Sequence, residues 1–268
     1  MSDVLDVLIP TCNRASALAV TLCALAAQTL RHFRIIISDQ SDGPGIVAAP
    51  EVQAVTRFLR VQDIDVVALR HLPRRGMAEQ RAFLLAQVTA PFCLFLDDDV
   101  IVEPSLLARM LDTIRRRRCG FVGSALHGLS YLGERRPAHE AITFWDGEVL
   151  PETIRPGTQA WERHHLHSAA NLYHVQRRLE LTVRDARCYR VAWVGGCVLF
   201  DTGKLRDCGG FDFWPDLPAD HAGEDVLAQL RVMARFGGCG LIPSGAYHME
   251  LPTTLPVRSV DAPQLLWP

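Results

Sequence analysis

Three aspartates, Asp97-Asp98-Asp99, follow the five-residue apolar run Phe92-Cys93-Leu94-Phe95-Leu96. The run has the length and composition of a strand buried on both faces of a parallel sheet. Three carboxylates at its end repel one another, which is costly unless a cation or a proton offsets the charge. Oxygen-rich clusters suit hard cations such as Mg2+ or Mn2+, which also hold substrate phosphates. Strand ends are where open α/β sheets bind ligands. Taken alone, the triplet reads equally well as an exposed acidic turn.

Other groups with chemical potential lie at similar junctions. Pro10-Thr11-Cys12-Asn13-Arg14 joins an apolar strand-like run to a helical one. Such a turn offers free backbone N–H groups to a nucleotide, although plain helix capping by Thr11 or Asn13 explains it too. Asp39 ends the second strand-like run, placed either to accept a hydrogen bond from a base or ribose or to open an Asx turn. Arg81 falls on the same helical face as Met77, Leu84, Leu85 and Val88. An arginine on a buried stripe needs an anionic partner, here Asp97, Asp99 or a pyrophosphate. Glu224-Asp225 open a helix, where acidic residues complement the dipole. A carboxylate held there beside a metal site is also placed to act as a general base. His248 follows a strand-like segment and would complete an O/N ligand set acceptable to Mn2+, though a lone histidine is more often structural.

The elements that would position these groups alternate through the first 125 residues. Strands are expected over 4–9, 33–37, 64–69, 92–96 and 119–125, with helices over 76–88 and 104–117 and another following the first strand. Repeated βα units imply a mostly parallel sheet flanked by helices. Residues 127–190 lose periodicity and hold six of the ten histidines, together with Trp145 and Trp161. They read as a partly irregular segment draped over the site. A strand over 191–200, a helix over 223–236 and short strands near 241–248 complete the body. The proline-rich residues 251–268 read as an extended tail.

Composition bounds the class. Hydrophobic residues make up 49% of the 268, enough for a sizeable core, and a net charge of −2 gives no nucleic-acid signal. The run Arg115-Arg116-Arg117-Arg118 reads first as the solvated end of a helix and second as a contact for anionic lipid. The eight cysteines form no CxxC pair and read as core residues in a reducing compartment. No secretory signal and no span of about 18 apolar residues is seen. These features predict a cytoplasmic protein, with peripheral contact at the inner membrane face left open.

In order and spacing, the motifs resemble the family 2 glycosyltransferases of GT-A fold. The resemblance rests on Val7 to Arg14, Gln28-Thr29 with the run to Asp42, Gly76 to Arg81, the DxD-like Phe95-Leu96-Asp97-Asp98-Asp99, Val194-Gly195-Gly196, Gly209-Gly210-Phe211-Asp212, Gly223-Glu224-Asp225 and the final Ile242-Pro243 and His248. It implies one GT-A domain over 1–250, with a Rossmann-like nucleotide-sugar half (1–126) and an acceptor half (127–250). It implies an inverting transfer from a nucleoside-diphosphate sugar, of uridine type by preference, to an acceptor hydroxyl. Pro10, Thr11, Asn13 and Arg14 would shape the nucleotide pocket, Asp39 would bind the base, and Arg81 would sit near the nucleotide. Asp97 would face ribose and metal, and Asp99 would ligate Mn2+ or Mg2+, with His248 as an additional ligand. Asp98 joins the donor-binding set as the most replaceable of the three. Asp225 would be the base, Glu224 would orient acceptor or sugar, and Trp193, Gly195 and Gly196 would line the sugar and acceptor region. Two departures bear on the donor: Ser38 stands where the family often has an acidic residue, and Ala82 where it often has Asn. The acceptor stays open among glycan, lipid-linked and small-molecule hydroxyls. A sugar-nucleotidyltransferase would want a Gly- and Lys-containing first loop, which residues 10–16 lack. A non-catalytic binding module would not need Glu224 and Asp225.

Overall fold

The computed structural model describes residues 4–253 and 257–267. Its first half alternates as β1 (Leu5–Thr11), α1 (Ala15–Ala26), β2 (Phe33–Asp39), α2 (Pro50–Val61), β3 (Val66–Arg70), α3 (Met77–Ala86) and β4 (Phe92–Leu96). The four strands are parallel, in the order β3-β2-β1-β4. The order reverses between β1 and β4, and such a switch point opens a crevice at the carboxyl ends of the strands.

The second half runs β5 (Val100–Val102), α4 (Leu106–Arg117), β6 (Phe121–Gly123), β7 (His127–Gly128), α5 (Asn171–Arg178), β8 (Arg187–Tyr189) and β9 (Cys197–Asp201). It continues with α6 (Thr202–Asp207), β10 (His221–Ala222), α7 (Glu224–Phe236), β11 (Gly238–Ile242), β12 (Ala246–His248), β13 (Val260–Asp261) and α8 (Ala262–Leu266). Beyond β4 the main sheet continues β9-β6-β11-β8. β9 is antiparallel to both neighbours and β8 to β11, while β6 and β11 are parallel. A small β5-β12-β7 sheet and a β10-β13 pair stand apart from it. The result is the expected mostly parallel α/β sheet with helices on both faces.

The strands explain the two cores. Successive side chains on a strand point to opposite faces. Val7, Ile9, Leu94 and Leu96 therefore join Leu18, Leu22, Leu107 and Met110 in one cluster. Leu8, Cys93 and Phe95 join Leu84, Leu85, Leu227 and Leu230 in the other. β4 is thus apolar at every position because it is sandwiched, and only its end is free to be charged.

Two expectations need correction. The strand expected over 191–200 begins only at Cys197, because Gly196 turns the chain at φ +75°. The expected tail is not extended throughout: Val260 and Asp261 pair with β10, and α8 buries Ala262 against the body. Residues 254–256 and 268 of that segment lie outside the described residues. The arginine run ends α4 as the helix reading expects, with Arg116 paired to Asp112 at 2.6 Å and Arg115 over the Phe92 ring. Among the described residues, no helix is long and apolar enough to cross a membrane.

One buried charge ties this half together. Asp6, on β1 and fully buried, accepts from Arg34 Nε (3.0 Å) and Nη2 (2.9 Å) on β2 and from the backbone N–H groups of Thr89 (2.9 Å) and Ala90 (3.1 Å) before β4. Removing one partner strands the other charge. Asp6→Ala is expected to lower unfolding free energy by about 3–5 kcal/mol, read as a lower urea midpoint with unchanged slope. A shift too small to resolve would remove Asp6 from this role.

Candidate active site

A cavity of about 760 Å³ opens at the carboxyl ends of β1 and β4. The β1–α1 turn, the residues after β4, the start of α7, the 193–196 loop and the chain after β12 all contribute to its wall. It brings together Pro10, Thr11, Arg14, Arg81, Asp97, Asp98, Asp99, Trp193, Gly195, Gly196, Glu224, Asp225 and His248. Asn13 and Asp39 are not in its wall.

The three aspartates divide by environment. Asp97, the most open, has its side chain 36% exposed. Its N–H donates to the Gly196 carbonyl at 2.9 Å. A Cβ on Gly196 would come within 2.4 Å of Leu126 Cδ1 and 3.1 Å of Asp97 Oδ2, so this approach requires glycine. Asp98 is buried: Thr11 Oγ1 donates to its carboxylate at 2.6 Å and Arg14 Nη1 at 3.2 Å. Its carbonyl accepts from Thr21 Oγ1 at 2.9 Å. Burial pushes its carboxyl up to about 6, against the pull of Thr11 and Arg14. Asp98 is therefore no replaceable spacer; it locks the β4 turn to the β1 turn. Asp99 accepts from Arg14 Nη1 at 2.8 Å and has its other oxygen 3.5 Å from His248 Nε2. Arg14 also donates to the Pro252 carbonyl.

The cation-binding expectation meets a mixed geometry. Among the described residues, no three His, Cys, Asp or Glu side chains gather into a ready ligand group. The donor chemistry nonetheless fits a hard divalent ion. Arg81 engages only Oδ1 of Asp97, Arg14 only Oδ2 of Asp99, and His248 Nε2 faces Asp99. His248 is oriented through Nδ1, which accepts from the Glu250 N–H at 3.1 Å.

Arg81 lines the cavity and is held there by carboxylates. It is buried, with Nε 2.9 Å from Glu224 Oε1 and Nη2 3.3 Å from Asp97 Oδ1, and its guanidinium lies over the Phe95 ring. Of the two anions foreseen for it on the strand end, Asp97 is met; Glu224 is the unforeseen partner. The carboxylates hold Arg81 firmly charged despite its burial. Asp225 follows Glu224 in the first turn of α7. Burial, and then the Glu224 charge, push the Asp225 carboxyl up to about 7, with Arg81 pulling against them. α7 can start where it does because Gly223, at φ +77°, takes a conformation and a tight fit against Pro263 that a side chain would spoil.

Asp39 takes the Asx-turn alternative. It is buried, accepts from the N–H of Ser41 (2.8 Å) and Ile46 (2.7 Å), and pairs with Arg70 at 3.1 Å. With its oxygens so engaged, it shapes the loop after β2. Asn13, at φ +57°, ties that loop to the first turn through Asp42 and Ser41. Several cavity residues carry no local motif and were not foreseen: Tyr131, His164, His167, His221 and Glu250. His221 is buried, with Nδ1 donating to the Pro218 carbonyl (2.7 Å) and Nε2 accepting from the Ala78 N–H (3.1 Å). The density of histidines over 127–190 was the only sequence signal for His164 and His167.

Comparison with known proteins follows the same lines. The family model described as "Glycosyl transferase family 2" matches residues 6–178. The succinoglycan biosynthesis protein ExoM of Rhizobium meliloti is 30% identical over 118 residues, which are 42% of this chain and 36% of that protein. Among solved structures, S. aureus TarS 1–349 aligns over 92% of this chain and 60% of its own, with TM-score 0.56 and 16% identity. GalNAc-T7 with UDP, GalNAc and Mn2+ aligns over 93% and 45%, with TM-score 0.58 and 13% identity. A mannosyltransferase from Pyrobaculum calidifontis with GDP-Man and Mn2+ aligns over 90% and 57%, with TM-score 0.52 and 14% identity. This chain thus spans less than two thirds of each of these proteins.

The Arg81 bridge makes a mutational forecast. Arg81→Met strands Glu224 and Asp97 beside each other and is expected to cost about 3–5 kcal/mol of stability. The double variant Arg81→Met/Glu224→Gln should regain part of it. Urea unfolding of the wild type, both single variants and the double variant checks this, and strictly additive losses would show that the two residues are not coupled.

Proposed function

The chain belongs to glycosyl transferase family 2, is a glycosyltransferase of GT-A fold, and on that footing we propose that it moves a sugar from a nucleoside-diphosphate sugar, of uridine type by preference, to an acceptor hydroxyl with inversion. One observation carries the reading: strand-end carboxylates and a helix-start carboxylate pair share one cavity and one buried arginine. Binding of UDP-GlcNAc by TarS and of GDP-Man by the Pyrobaculum enzyme, each with the same fold, supports a nucleotide-sugar donor.

In this proposal Pro10, Thr11 and Arg14 form the donor side, with Asp39 and Asn13 shaping the loops behind it. Asp97, Asp99 and His248 would hold Mn2+ or Mg2+, which supplies charge neutralisation to the departing diphosphate. Arg14, the present counter-ion of Asp98 and Asp99, would turn its charge towards the donor. Asp225 takes the proton of the acceptor hydroxyl as that oxygen bonds to the anomeric carbon and the bond to the diphosphate oxygen breaks. Glu224, fixed by Arg81, orients acceptor or sugar. Attack from the face opposite the leaving group inverts the anomeric centre. The nucleotidyltransferase alternative has no support in the first turn, which holds neither glycine nor lysine between residues 10 and 16.

Two measurements test the reading. In a thermal-shift panel of UDP-, GDP- and dTDP-sugars, one nucleotide should stabilise the protein only with Mn2+ or Mg2+, and Asp99→Ala should abolish the shift. Metal-independent stabilisation that survives Asp99→Ala would contradict it. Because burial raises the Asp225 carboxyl to about 7, its basic form is lost as pH falls through that value. Transfer should therefore rise with pH across about 6 to 8, and Asp225→Asn should keep donor binding while losing transfer. A flat profile, or full transfer by Asp225→Asn, would take the base role from Asp225.

A further inference from the structure

The Arg81–Glu224 bridge joins two helices, and a third side chain ties their starts together. α3 begins at Met77 after Gly76, and α7 begins at Glu224. The first N–H groups of a helix have no partner within it. Gly76 offers α3 no side-chain cap, and His221 supplies one from 143 residues further along. His221 Nε2 accepts from the Ala78 N–H at 3.1 Å, and Nδ1 donates to the Pro218 carbonyl at 2.7 Å.

The surroundings are shaped to this ring. Gly76 stands at φ +102°, and a Cβ there would come within 2.7 Å of His221 Cε1 and 3.0 Å of the Ala219 carbonyl. His221 is buried in β10, which pairs with Val260 and Asp261 of the returning C-terminal chain. Three residues later Glu224 opens α7 and gives Oε1 to Arg81. The imidazole is thus bonded to the start of α3 and carried on the strand that leads into α7.

Its two bonds also fix its protonation. A ring nitrogen facing a carbonyl carries a hydrogen, and one that accepts from an N–H does not. The ring is therefore neutral, with its hydrogen on Nδ1. Glu224 Oε2 lies 3.8 Å from Nε2, which has no proton to give it. Among the described residues this oxygen accepts no hydrogen bond, and Glu224 lines the cavity.

We propose that His221 is a positioning residue for sugar transfer: as a neutral clamp between the starts of α3 and α7, it keeps Asp225 in place and leaves the second oxygen of Glu224 open to a substrate hydroxyl. The proposal rests on the transfer reading above and adds a residue to it. His221 acts through Glu224 and Asp225. A cationic ring would release the Ala78 N–H and turn its Nε2–H on Glu224, closing the oxygen that the neutral ring leaves open. A purely capping role would cost stability and leave the turnover of each folded molecule untouched.

Two measurements on the full chain test this. Long-range 1H–15N NMR of histidine-labelled protein at pH 7.5, with the His221 signals identified by their loss in His221→Gln, should show the neutral Nδ1–H tautomer. An imidazolium or the Nε2–H tautomer would overturn the clamp. Release of nucleotide from UDP-Glc, UDP-Gal, UDP-GlcNAc and GDP-Man with Mn2+ is then followed for wild type, His221→Leu and His221→Gln, per nucleotide-binding site. His221→Leu should lower kcat about 10- to 100-fold with donor KM within about twofold. His221→Gln, whose side-chain oxygen can accept from the Ala78 N–H, should regain most of that loss. If His221→Leu does not fold, His221→Asn, too short to reach Ala78, takes its place in the comparison. Unchanged kcat per site, a loss confined to KM, or no rescue by glutamine would overturn the proposal. No turnover of any donor by the wild type would count against the transfer reading, and the tautomer, measured without donor, separates that failure from failure of the clamp.

Discussion

Everything in the site depends on one buried guanidinium shared by two carboxylates from distant parts of the chain. Arg81 is carried in by α3, Asp97 by the end of β4 and Glu224 by the start of α7. A buried charge is tolerated only when it is paired and hydrogen-bonded, so none of the three can be placed without the others. The Phe95 ring under the guanidinium closes the fourth side. The pairing fixes the distance between strand end and helix start. It also lowers the charge around Asp225, whose carboxyl would otherwise stand still higher.

A second arginine balances the other side. Arg14 neutralises Asp98 and Asp99, while Thr11 bonds to Asp98 and Thr21 bonds to its carbonyl. Three adjacent carboxylates are thereby held in the sheet's crevice with different exposures and different partners. Asp97 is left the most accessible, while Asp98 and Asp99 are both buried. The glycine at 196 lets the β9 side approach close enough to fix the Asp97 backbone. Charge pairing and close backbone approach together turn a repulsive triplet into a stable, asymmetric one.

The parts legible in the sequence were those with strong local signals. β4 was readable because an apolar run of five ending in charges has few other solutions, and α7 because Gly223 and the glycines after Phe236 bracket a clear helical period. Arg81 was recognisable as a buried arginine in need of an anion, but not its choice of Glu224, which is 143 residues away. Asp39 looked alike in both of its roles, since an Asx-turn acid and a ligand-binding acid have the same neighbours in sequence. Only the hydrogen bonds from Ser41 and Ile46 show that it holds the turn. The placing of His164 and His167 in the wall and the return of residues 260–266 were hidden for a related reason. Both are built from irregular chain whose placement is set by tertiary contacts and not by periodicity. The family match, over residues 6–178, also stops short of the helix that carries Asp225.

The central claim is that a metal-side leaving group and Asp225 act from opposite faces of one sugar. The most direct measurement is the anomeric configuration of the product, followed by 1H NMR with an α-linked donor sugar in the first minutes, before mutarotation. The account predicts the β anomer, in the glycosidic product or in sugar passed to water. An α product would contradict single displacement and require a different chemical role for the carboxylates that Arg81 holds.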